Sequence, residues 1–352
     1  MTHILLLGLA AATLLASTAR AQFIDIRLSY KAVLDPASGQ RAQNFTDAQI
    51  DQAIAQMNQL QAGYNRGFRF VRVDPIWNVG SFGDTTGPSR WFNSNFASQN
   101  NGLILRDQME TAARNDARYV WNNNAINIYL TGGISGGLGS RPGRDIILLG
   151  GAIAGDGARH LREIGHYFDL CDTQGCGCGD CGPNAGQCNT PGDDGVYDTL
   201  SDLPCWDQSV LSQHNYGVPY ASLASWQVSA VDNTFFNLMS PRGAGSRLTR
   251  EQLDRWTDTA SGTRRSVTTG RTWYVNGDLN VCFFQTGYSD CGFFLGGPLG
   301  GFLTATELAN PAGGDVIRIR FGINETDKLP RTYTKPATWR NAEGYNITFG
   351  RP

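Results

Sequence analysis

The sequence has no excess of charge of either sign. Its 29 Lys and Arg stand against 31 Asp and Glu, for a net charge of -2. A protein that holds nucleic acid by its phosphates needs a basic face, so that class of partner is excluded. Charge is scarce altogether, at 17% of residues against roughly a quarter in an average soluble chain. Beyond the first twenty residues no stretch approaches the ~18 uninterrupted apolar residues of a bilayer span. No repeat of fixed period is evident. Apolar residues are not scarce: 41% hydrophobic and 11% aromatic supply a sizeable core and exclude a disordered chain. Glycine is abundant, 43 of 352. Low charge with much Gly, Asn and Thr points to an exported, loop-rich protein.

Residues 4–15 form an apolar run without charge, followed by small residues ending in Ala19-Arg20-Ala21. This fits a secretory signal peptide cleaved after Ala21, although the opening Met1-Thr2-His3 carries no Lys or Arg. The run is too short for a membrane anchor. The expectation is a secreted chain that starts at residue 22. Eight cysteines agree with export: Cys171, Cys176, Cys178, Cys181, Cys188, Cys205, Cys282 and Cys291. An even count in an oxidising compartment reads as disulfides, with pairing left open. A structural zinc cluster at Cys176, Cys178 and Cys181 is the competing reading.

Alternation of Ile24, Ile26 and Leu28 predicts a strand over 23–30. Thr46 with Gln49 makes a capping box for a helix with Ile50, Ile54, Met57 and Leu60 on one stripe, stopped by Gly63. Further strands are expected at 68–73, 125–130 and 145–149, with a loop over 78–100 and a weak helix over 106–115. Asp156 caps a helix over about 157–170. Residues 171–235 read as turn-rich with little regular structure, and 248–257 as a short helix. The glycine-rich 132–139 lacks the Lys-Ser/Thr of a phosphate loop and reads as an edge loop.

The chemistry concentrates on the helix that Asp156 caps. In His160-Leu161-Arg162-Glu163-Ile164-Gly165-His166, Glu163 and His166 occupy two places of the H-E-x-x-H zinc motif. That motif works because helical positions i and i+4 point the same way, so both imidazoles reach one metal. Arg162 stands at the first ligand position. His160 cannot replace it, being roughly 120° around the helix from His166 and about 9 Å along it. His214 has no helical partner and reads as a loop residue that packs or faces solvent.

The ordered motifs over roughly 120–260 resemble the pappalysin-like branch of the metzincin metallopeptidases. Counting from Arg162 puts Asp169 at the motif's Gly and Asp172 at its third ligand. Asp193-Asp194-Gly195-Val196-Tyr197-Asp198-Thr199 is similar to a family segment between cysteines, and Asn237-Leu238-Met239-Ser240 to the Met-turn. The resemblance implies an α+β metallopeptidase domain over 22–270, a zinc ion on His166 and Asp172, Met239 beneath it, and a peptide or protein substrate. The strand at 126–130 is taken as the one that frames the cleft. In an active enzyme Glu163 would be the general base for the metal-bound water.

Three departures bear on activity. Arg162 has no lone pair to offer a metal and adds positive charge. Asp172 replaces the usual His, although a carboxylate can ligate zinc. Pro241 stands where relatives of this lineage carry a Tyr. Since first and third ligands point at a common centre, Arg162 and Asp172 can instead form an ion pair, with Glu163 as a second partner. Two functions stay open: a zinc endopeptidase with a degenerate site, and a non-catalytic protein that holds extended peptides. Asp193, Asp194 and Asp198 could also hold calcium with nearby carbonyls.

Residues 271–352 read as strand and turn only. Gly296-Gly297-Pro298, a short helix at 304–310, the strand Asp315 to Arg320 and two later strands resemble the opening coil of a pectin-lyase-like parallel β-helix. About one coil is expected there, as a small β-rich appendage without catalytic groups.

Overall fold

The computed structural model describes residues 23–98, 101–139, 144–174, 194–203, 206–240, 242 and 245–270, together with the backbone of five short strands beyond them. Helix and sheet are mixed throughout, as expected of an α+β chain. The central sheet runs in the order β2-β1-β4-β6-β5, with β3 also against β1. Its strands are β1 (Ile24–Val33), β2 (Phe68–Arg72), β3 (Trp77–Val79), β4 (Ile126–Thr131), β5 (Gly137–Leu138) and β6 (Ile146–Gly150). All pairings are parallel except that of β5 with β6.

Parallel strands need crossover connections, and these place helices on the sheet faces. Accordingly β4 and β6 are buried at every residue, as the continuous runs Ile-Asn-Ile-Tyr-Leu-Thr and Ile-Ile-Leu-Leu-Gly require. One face is covered by α1 (Asp47–Tyr64), α3 (Gly157–Tyr167) and α6 (Arg250–Ser261), around Ile26, Leu28, Ile50, Leu161, Ile164, Phe168 and Trp256. The other is covered by α2 (Gly102–Asn115) and the loop before it, around Trp91, Phe96, Met109, Tyr119, Tyr129 and Leu148. Burial of this apolar surface is the main stabilising term.

Local chemistry sets the helix ends. The Thr46 hydroxyl and the Gln49 side chain cap α1 reciprocally, and Thr249 and Gln252 do the same for α6. Helix α1 does not stop at Gly63. It runs to Tyr64 and closes on Asn65, which takes the left-handed conformation at φ 52°, a role Asn shares with Gly. Gly157 opens α3 so tightly against α1 that a Cβ there would lie 2.5 Å from the Ala53 carbonyl oxygen.

Several expectations need correction. Helix α2 starts four residues before the expected position, and the 78–100 segment opens on the end of β3 and holds a short 3-10 helix at Pro88–Trp91. The 171–235 region contains two helices, α4 (Gln208–Tyr216) and α5 (Ser225–Phe235); polar helices with short apolar stripes gave little periodic signal. His214 therefore lies on a helix, not a loop, with its ring 4.5 Å from that of Trp206. The strand at 126–130 does not frame a cleft. It is central in the sheet, and the edge strand beside α3 is β5.

Beyond 271, β7 (Thr272–Val275), β8 (Val316–Ile319) and β10 (Thr338–Arg340) form a parallel sheet in the order β10-β8-β7. Strands β9 (Ile323–Asn324) and β11 (Ile347–Thr348) pair in parallel separately. Val316 pairs with Thr338, 22 residues on, and Ile323 with Ile347, 24 residues on. Strands β8 and β9 are thus both met again by β10 and β11 after one return of the chain, and β7 lies on the other side of β8. The Gly296–Pro298 turn and the helix expected at 304–310 lie outside the described residues.

Candidate functional site

Helix α3 divides its residues by chemistry. Leu161 and Ile164 enter the core with His160. His160 Nδ1 lies 3.2 Å from the Tyr30 hydroxyl, and its Nε2 lies 3.0 Å from the Ile153 carbonyl. Burial pushes its pKa down to about 4, so it is a neutral core histidine, turned away from the opposite face. That face carries Arg162, Glu163 and His166, which fall within roughly 100° of arc.

After Tyr167 the chain reverses. Phe168 N donates to Ile164 O, and Leu170 N to Gly165 O. Between them Asp169 sits at φ 70°, the left-handed region in which a glycine would be unstrained. The Asp169 carboxylate accepts from Arg255 Nη2 at 2.7 Å, which holds the turn. The reversal returns Asp172 over the helix. There it is ion-paired with Arg162 Nη2 and lies 3.4 Å from His166 Nε2. Arg162 Nη1 donates to Glu163 Oε1 at 3.1 Å. The other Glu163 oxygen accepts the Gly139 backbone N–H at 2.5 Å. His166 Nδ1 donates to the Leu170 carbonyl at 2.8 Å, which fixes the ring and turns Nε2 toward Asp172.

The floor is equally specific. Met239 is fully buried, and a Cβ on Gly165 would lie 2.6 Å from its sulfur. Its turn is set by Asn237, whose Oδ1 accepts Met239 N at 2.9 Å. Thr173 N donates to Met239 O at 3.1 Å, so the same turn holds the segment that delivers Asp172. Glu163, His166, Asp172, Arg162 and Met239 are therefore brought together, as the motif spacing suggested.

Arg162, Glu163, His166 and Asp172 line a cleft of about 470 Å³, with Leu103 and Arg106 of α2, Gly137, Leu138 and Gly139 of the edge strand and its exit, and Arg144. The sequence reading missed the α2 residues and Arg144. Only the glycine run hinted at the wall: a Cβ on Gly137 would lie 2.3 Å from Glu163 Cγ, so glycine is required for the edge strand to touch α3.

The charges are strongly coupled. Burial disfavours the His166 imidazolium, but Asp172 and then Glu163 outweigh it, and the net pKa is raised. Burial works against the Asp172 carboxylate, yet His166 and Arg162 hold it below the usual range. Burial likewise opposes the Arg162 charge, and Asp172 and Glu163 more than restore it. A guanidinium thus sits among the donors a metal would use.

The donor set does not fit zinc. Arg162 offers no lone pair, Asp172 Oδ1 and Glu163 Oε1 are taken by its N–H groups, and among the described residues no group of three or more His, Cys, Asp or Glu side chains is arranged to hold a metal ion.

Of the remaining candidates, Asp194 is buried, with Oδ1 accepting Val196 N at 3.1 Å and Oδ2 the Thr199 hydroxyl at 2.8 Å. Asp198 Oδ2 accepts Glu251 N at 2.8 Å, at the start of α6. The two acids brace a turn against a helix. Cys171 is disulfide-bonded. Asp193, Pro241, Cys176, Cys178, Cys181, Cys188, Cys205, Cys282 and Cys291 lie outside the described residues.

No family model matches this sequence, and no curated protein does. Among solved structures the chain is similar to mirolysin in complex with compound 9, at 18% identity and a TM-score of 0.38, over 68% of this chain and 95% of that one. It is also similar to a glutamate-to-alanine mutant of Tannerella forsythia promirolysin, at 15% identity and a TM-score of 0.39, over 70% and 86%. Among the described residues no helix is long and apolar enough to cross a membrane.

Proposed function

We propose that this protein is an exported, peptidase-like protein that holds extended peptides without hydrolysing them. The observation that carries this reading is the Arg162 guanidinium, which bridges Glu163 and Asp172 where a hydrolase would need a metal and a free base. With Glu163 Oε1 bound by Arg162 and Oε2 by Gly139 N, both oxygens of the motif's general base are already engaged. The cleft itself persists, and among the described residues β5 pairs with β6 alone, so its outer edge offers backbone groups to an extended chain.

Export belongs to the same proposal. It rests on the apolar opening segment ending at Ala21, and the disulfide at Cys171 supports it.

The test is metal analysis of the purified mature protein together with casein digestion in the presence and absence of a chelator. The expected result is sub-stoichiometric zinc and no chelator-sensitive cleavage. Stoichiometric zinc with chelator-sensitive cleavage would reinstate the zinc endopeptidase, with His166 and Asp172 as ligands and Glu163 as base.

A further inference from the structure

The rim of the cleft has a charge balance different from that of its floor. Asp107 is shared by two guanidinium groups. Its Oδ1 accepts Arg106 Nη2 at 2.9 Å, and its Oδ2 lies 2.8 Å from Arg144 Nη2. Among the described residues the two arginines share this one carboxylate, which leaves one positive charge in excess at the rim. Arg106 is buried and anchored, with Nη1 donating to Gly139 O at 3.2 Å. Arg144 is 48% exposed and lines the opening. Its backbone is held in place by Arg264, which donates to the Arg144 carbonyl. On the floor, by contrast, Arg162 already has two carboxylate partners. Next to the rim pair stand Leu103, 47% exposed, and Leu138.

We infer that this rim is a carboxylate-reading subsite, at which Arg144, braced by Asp107 and Arg106, binds a carboxylate of a peptide whose neighbouring apolar side chain rests on Leu103 and Leu138. The inference rests on the peptide-holding reading and names the class of peptide. Guanidinium suits the task because its N–H groups can meet both oxygens of a carboxylate. Asp107 keeps Arg144 oriented, which lowers the entropy lost on binding. The carboxylate comes either from an internal Asp or Glu or from a peptide C-terminus, and both present the same two oxygens.

Fluorescence anisotropy with the full mature chain tests this. The probes are four labelled heptapeptides with central Leu-Glu or Leu-Gln, each ending in a free acid or an amide. Binding of Leu-Glu amide about five- to tenfold tighter than Leu-Gln amide is the result for an internal acid. The same preference of Leu-Gln acid over Leu-Gln amide marks a C-terminal reader. R144Q should abolish whichever preference is found. R159Q makes the same charge change on an exposed position of α3 and should leave it intact. Equal binding of all four peptides, or a preference that survives R144Q, overturns the carboxylate subsite while leaving the peptide-holding reading standing. No binding of any peptide overturns both.

Discussion

Removing the Arg162 guanidinium strands two carboxylates. Its side chain is 22% exposed, that of Glu163 5% and that of Asp172 24%. Breaking a fully buried ion pair costs about 3–5 kcal/mol. Partial exposure and the neighbouring His166 reduce this, and about 2–4 kcal/mol is expected for R162Q. For a domain of this size that is a drop of roughly 5–12 °C in Tm. R162H removes the same charge but adds an imidazole one turn before His166, restoring the i, i+4 geometry. It should melt as low as R162Q in chelator and recover with zinc, by about 3 kcal/mol at a hundredfold excess over Kd. The assay is thermal unfolding of wild type, R162Q and R162H, each with chelator and with zinc. The reasoning is refuted if R162Q melts with wild type in chelator, since Arg162 would then not be neutralising the cluster. It is refuted equally if zinc stabilises wild type as much as R162H.

Two further outcomes follow from the packing. Lys31 is fully buried on β1, with Nζ 2.5 Å from Asn127 Oδ1 and 2.8 Å from the Ser29 hydroxyl, and burial pushes its pKa down to about 7. The unfolded chain therefore binds the proton more tightly, and stability should rise as pH climbs from about 7 toward 10.5. K31M should raise the urea midpoint at pH 7 by an amount equivalent to about 1–3 kcal/mol; a lower midpoint would show that the Ser29 and Asn127 bonds outweigh desolvation. G137A should cost about 1–3 kcal/mol, because its new methyl would collide with Glu163. An unchanged Tm would mean that Glu163 is free to leave the edge strand.

What could be read from the chain before any coordinates follows from how local each signal is. The strands that became β4 and β6 were legible because a doubly covered parallel strand writes itself as a largely apolar run, and β1 through the alternation of Ile24, Ile26 and Leu28. The caps of α1 and α3 were legible because Thr46 and Asp156 act on groups three residues away. The Arg162–Asp172 pair was legible because both positions belong to one motif whose ligands converge. Arg106, Asp107 and Arg144 were not. Their proximity depends on α2 packing against the far end of β6, a relation that no spacing encodes. Helices α4 and α5 were missed for a different reason: cysteine and turn residues nearby diluted a weak periodicity.

The two histidines of α3 test the electrostatic account as a pair, because one helix shifts them in opposite directions. His160 faces Tyr30 in the core, and burial lowers its pKa to about 4. Its cost is therefore absent at neutral pH and grows as pH falls from about 6.5 toward 4, where the unfolded chain takes up the proton first. His166 is raised, because Asp172 and Glu163 outweigh burial. Its contribution is complete below the unfolded value near 6.5 and is lost as pH rises through the folded one. Asp172, held low by His166 and Arg162, gives the opposite slope at the acid end. H160Q should then flatten the decline in Tm between pH 6.5 and 4, and H166Q the decline that sets in as pH rises above about 6.5. Imidazole proton resonances of the mature chain should show one ring titrating near 4 and another above the free value. The same proton bears on metal chemistry, since zinc takes only the neutral ring. A cluster that raises the proton affinity of His166 opposes a metal by proton competition as well as by the Arg162 charge. His160 and His166 titrating together near 6.5 would remove both arguments at once.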